Sequence, residues 1–74
     1  MTKIIILSFD IPLNKSSLRV KIWRELKKIG AEQELGSHWA MPFNQQNLEN
    51  MKFVAKEILN SGGNVRLIVG EKVI

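Results

Sequence analysis

The 74-residue sequence contains no cysteine, and its one histidine is His38. Disulfides are excluded, and the cysteine and histidine spacings that hold zinc are missing. The longest apolar run, Ile4 to Leu7, is far short of the ~20 residues a membrane-spanning helix needs. One lysine ahead of that short run, with no small-residue cleavage site after it, does not make a signal peptide. The expected address is therefore the cytoplasm, away from membranes. Aromatic residues are only 7% of the chain. Phe9, Trp39 and Phe43 are too few for a sheet-wide platform of the kind that stacks RNA bases. Phosphate loops, Ser-His-Asp sets and activated cysteines are also missing, which removes the commonest enzyme chemistries.

What is present is ordinary for a globular chain, with 45% apolar and 24% charged residues. The length predicts one domain, residues 1–74. A domain of this size buries only about 60% of its unfolded surface. With no disulfide or zinc to reinforce it, a second protein surface is the expected support, and a homodimer the simplest form of it. The net charge is +4, and its distribution is uneven. Lys15, Arg19, Lys21, Arg24, Lys27 and Lys28 lie in one short segment against Glu25 alone, so this segment carries the whole excess. A concentrated basic stripe attracts polyanions such as nucleic acid. The alternative is a solvated helix face whose lysines suit the dipole at the C-terminal end.

The apolar patterning predicts six elements. Lys3 to Phe9 is β-branched and apolar on both parities, as a central strand is. Asn14, Ser16 and Ser17 offer caps to a helix running to about Ile29, and Gly30 stands where a C-cap glycine belongs. Glu32 to Leu35 suits an edge strand, with Gly36 and Ser37 as the turn. His38 to Phe43 alternates and places Pro42 at its end. Asn44 caps a second helix, Gln45 to about Asn60, with Leu48, Met51, Ala55, Ile58 and Leu59 on one face. Asn64 to Val69 forms the last strand, and Gly70 bends the chain into a tail, Glu71 to Ile74. The order β-α-β-β-α-β gives an α+β, ferredoxin-like sandwich, its antiparallel sheet ordered 4-1-3-2 with both helices on one face. The first strand and Ile68 leave apolar side chains on the other face, which a second copy would cover.

On a helical wheel, Lys21, Arg24, Lys27 and Lys28 face away from the apolar arc. Arg19 falls inside that arc, in the first turn, and Trp23 and Trp39 are expected in the core. An inward Arg19 needs a partner, and Asp10 at the end of the first strand is the nearest carboxylate. The pair is either a structural tie or a functional one, in which Arg19 orients Asp10 for a metal or contacts a phosphate. Asp10 alone is a poor site for a hard cation. Two copies of Asp10 near a dimer axis would allow one Mg2+ ion to bridge them. A cap on the turn before Pro12 is the plainer role. His38 is expected as a strand-edge histidine.

The run Ser8, Phe9, Asp10, Ile11, Pro12, with Leu18-Arg19-Val20, Trp23-Arg24, Leu26-Lys27, Gly30-Ala31, Trp39 and Pro42, resembles the N-terminal domain of the chromate-resistance regulator ChrB. It is similar to the central domain of the repressor PaaX and, more distantly, to the CRISPR-associated protein Cas-two, whose first strand ends in a similar aromatic-Asp-Ile motif. The resemblance covers residues 4 to 70. It implies a ferredoxin-like fold and a dimer through the open sheet faces. ChrB and PaaX are transcriptional regulators. Cas-two proteins bind duplex DNA, and many are described as magnesium-dependent nucleases in which the aspartate matching Asp10 is the proposed metal ligand. In Cas-two the final strand crosses onto the partner, a part that only Glu71 to Ile74 would take here.

Three functions follow as expectations. One is a dimeric module holding DNA or RNA through phosphate contacts from Lys21, Arg24, Lys27 and Lys28, with Arg19 nearby. Another is a magnesium-dependent endonuclease using Asp10 from both copies as catalytic and metal residue. The third is a protein-interaction subunit of a regulator or a larger CRISPR complex. Six cations against one carboxylate favour binding over catalysis.

Overall fold

The computed structural model describes residues 2–36 and 38–74; Ser37, expected in the turn, lies outside them. The elements are β1 (Thr2–Asp10), α1 (Ser16–Lys28), β2 (Glu32–Leu35), β3 (His38–Pro42), α2 (Gln45–Asn60) and β4 (Asn64–Lys72). β1 is central because it pairs with β3 on one side and β4 on the other. The antiparallel sheet has the order β2-β3-β1-β4, the expected ferredoxin-like arrangement. Alternation along β1 then divides its side chains between two faces. Ile5 and Leu7 enter the core with Trp39 and Met41 of β3, under Ile22 and Leu26 of α1 and Met51, Val54, Ala55 and Ile58 of α2. Ile4, Ile6, Ser8 and Asp10 fall on the other face, which carries no helix.

Local chemistry sets the helix ends. Asn44 Oδ1 accepts a 2.7 Å hydrogen bond from the Asn47 N–H, so α2 starts where the cap was expected. Helix α1 ends before Gly30, whose φ of +87° suits a residue without a side chain. Gly63 answers a different demand. A Cβ there would lie 2.7 Å from Ile58 Cγ2 and 3.0 Å from the Asp10 carbonyl oxygen. The missing side chain lets the start of β4 press against both α2 and the end of β1.

Five expectations need correction. The residue before α1 is Lys15, and no side chain caps the helix; Lys15 Nζ instead donates to the Ser61 carbonyl, tying the two helix-bearing loops together. β4 does not stop at Val69. β1 offers it partners from Asp10, opposite Asn64, to Thr2, opposite Lys72, so Gly70 stays in the ladder and Glu71 pairs with Lys3. Only Val73 and Ile74 lie beyond the strand. Leu59 is exposed, one step outside the buried arc of α2. Trp23 is 47% exposed, not core. Arg19 is exposed too. The last two share a cause: only Ile22 and Leu26 of α1 are fully buried, so the buried arc is narrower than the apolar arc of the wheel. Both residues lie at its margin.

Candidate nucleic-acid interface

The outward face of α1 is built by the 3.6-residue period acting on an amphipathic segment. Ile22 and Leu26 fix the inward side, and Arg24, Lys27 and Lys28 are left exposed on the other. Arg24 and Lys28 are one turn apart and border a shallow groove of about 300 Å³ with Ser17, Val20, Lys21 and Glu25. Lys27 Nζ sits 5.4 Å from the centre of the Trp23 ring. Among the described residues, none of these three cations forms an ion pair.

Lys21 is different. Its Nζ lies 2.6 Å from Glu57 Oε2 on α2, so this member of the stripe is neutralised and serves the seam between the helices. The hydrogen bond to Glu57 and that carboxylate's charge raise the Lys21 pKa. Glu25, one turn further along α1, meets the same carboxyl. Glu25 Oε2 and Glu57 Oε1 are buried with no hydrogen-bond partner, and the two carboxyls adjoin one another. Burial and the adjoining Glu57 push the Glu25 pKa up. The adjoining Glu25 and the hydrogen bond from Lys21 hold Glu57 down, as an ionised acceptor. One proton between the two carboxyls, with Lys21 capping the ionised one, is the arrangement these directions describe.

Asp10 and Arg19 border one hollow of about 230 Å³ with Phe9 and Ile11. Among the described residues no ion pair joins them, so the expected tie is not made. Asp10 is exposed, opposite Asn64 at the end of the β1–β4 ladder. Along the same face, Ser8 Oγ and His38 Nδ1 share a hydrogen bond of 2.8 Å. Arg66 flanks Ser8 from β4. The open face is thus polar toward the Asp10 end and apolar at Ile4, Ile6, Ala40 and Ile68, with Glu32, Glu34 and Lys72 bordering a hollow beyond Ile4. His38 opens β3, an inner strand of the sheet, and its bond to Ser8 depends on the β1–β3 register, which no local pattern announces. The exposed Trp23 could have been found from its neighbours at one-turn spacing, Arg19 and Lys27, both of which are cations.

A magnesium ion does not fit the residues of a single chain. Among the described residues no three histidine or acidic side chains converge. Asp10 stands as a lone carboxylate.

The sequence profile of the family described as "Protein ChrB, N-terminal" matches residues 19–73. Among solved structures, a hypothetical protein from Thermus thermophilus superposes with a TM-score of 0.63 at 23% identity. The match covers 100% of this chain and 85% of that one, and it supports the fold alone. No curated protein matches the sequence.

Proposed function

The chain belongs to the ChrB N-terminal family, and we propose that it works as a dimeric nucleic-acid-binding module whose helix α1 holds phosphates. One observation carries this reading: Arg24, Lys27 and Lys28 stand exposed on one helix face, and the nearest carboxylates, Glu25 beside them and Glu57 on α2, are drawn to each other and to Lys21 at the seam between the helices. A face of this kind attracts the backbone of a polyanion without reading its sequence. Lys21, bound to Glu57, is not counted as a phosphate contact, and Arg19, at the margin of the face, is a secondary one.

The dimer is supported by the open sheet face, where Ile68 is 47% exposed beside Ile4 and Ile6. A second copy is the occupant that these apolar side chains favour. The test of binding is fluorescence anisotropy with labelled duplex DNA and labelled single strands of arbitrary sequence. Binding at low salt that falls steeply with added salt, and is the same for unrelated sequences, is the expected result. No binding at about 50 mM salt, where phosphate contacts are strong, would contradict it.

Asp10 lies on the face that the dimer would bury, and this placement keeps a nuclease built from two copies of Asp10 as the second reading. Magnesium-dependent cleavage that Asp10→Asn abolishes while binding persists would favour it.

A further inference from the structure

We infer that Trp23 is a stacking platform for an unpaired base, so that α1 prefers single-stranded nucleic acid to duplex. This rests on the reading of α1 as a phosphate-binding helix and deepens it. Trp23 is 47% exposed, although burying an indole is among the larger gains a small domain can make. Its surroundings are not those of a stray surface residue. Arg19 stands one turn before it, Lys27 one turn after it and over the ring, and Arg24 is next in sequence. The acidic side chain of this helix, Glu25, is turned toward Glu57 of α2 and is absent from this side.

A ligand that covers Trp23 must offer a flat apolar face and negative charge together. An apolar protein surface would strand Arg19 and Lys27 without counter-charge. A duplex supplies the charge but keeps its base faces stacked inside. An unpaired nucleotide supplies both, a base for the ring and a phosphate for the flanking cations, as in single-strand binders that combine aromatic stacking with a basic track. The open sheet face offers no aromatic side chain from β1 or β4 to compete for this role, since its paired positions run from Thr2 and Lys72 to Asp10 and Asn64 without one.

The test uses two labelled probes at low salt, an oligothymidine of about 20 nucleotides and a hairpin duplex of equal charge. The chain has two tryptophans, and Trp39 is only 1% exposed, so it serves as an unchanged internal emitter. Oligothymidine is expected to quench the emission, and the quenching is expected to disappear in Trp23→Phe, which keeps most of the affinity. Trp23→Ala is expected to weaken oligothymidine binding by roughly 5- to 150-fold, the loss of one stacked base. Duplex binding is expected to change less than twofold. Equal losses on both probes, or none, would overturn the stacking role and leave the phosphate reading standing. No binding of either probe by the unaltered chain would overturn both. Quenching by polyglutamate but not by oligothymidine would replace the nucleotide by an acidic protein segment.

Discussion

At the scale of single residues, the carboxyl pair between the helices makes the sharpest claim. Glu25 has its pKa raised in the fold above the ordinary 4.5. Its contribution to stability is therefore full below that value and is lost as pH rises through the raised one. Glu57, held down, works in the opposite sense: its contribution is present above 4.5 and is lost as pH falls through its lower value. Glu25→Gln keeps a donor for the Glu57 carboxylate and removes the group that must ionise beside it. The variant is expected to gain ~0.5–1 kcal/mol over the unaltered chain near pH 7.5, within the range for partly exposed charges. The gain should vanish near pH 4. Urea unfolding at both values measures it, and a variant destabilised at both would refute the shared proton. None of this was legible in the sequence. Glu25 and Glu57 lie on different helices, and the wheel places each on its own cylinder without saying which neighbour it meets.

The elements were far more legible. Asn44 announced the start of α2, Gly30 the end of α1, and Pro42 the end of β3, because each acts through its own backbone and its nearest neighbours. Errors arose where a partner decides. β4 runs on through Gly70 because β1 is long enough to pair with it, and α1 is uncapped because the chain enters it at Lys15, whose ammonium offers no acceptor for the first helical N–H groups. The wheel points Arg19 and Trp23 inward because it records where apolar residues lie, not how far a helix overhangs its core. The junction of β1, α2 and β4 gives the prediction at this scale. Gly63→Ala would drive a methyl into Ile58 and the Asp10 carbonyl, and it is expected to cost ~1–3 kcal/mol, the usual range for overpacking. Thermal unfolding reports it. A neutral result would mean that the end of β1 can shift away from Gly63.

For the whole molecule, the asymmetry of the sheet is decisive: one face packed under two helices, the other with Ile68 half-exposed beside Ile4 and Ile6. If that face pairs two copies, Ile68→Lys places an unpaired charge in the contact and should split the dimer. Sedimentation at micromolar concentration should show the unaltered chain at twice its 8.5 kDa mass and the variant as monomer. A monomeric unaltered chain would refute the pairing. The central claim, that α1 binds nucleic acid through phosphates, is tested most directly by the salt dependence of duplex binding in Lys27→Gln/Lys28→Gln. These exposed residues do not support the core, and Lys21 is left untouched because its charge holds Glu57. Each lost phosphate contact should make the slope of log affinity against log salt shallower by about 0.9. The double variant is expected to bind more weakly at low salt, with a slope shallower by ~1.8 for each engaged helix. An unchanged slope would place the phosphates elsewhere on the molecule and contradict the assignment.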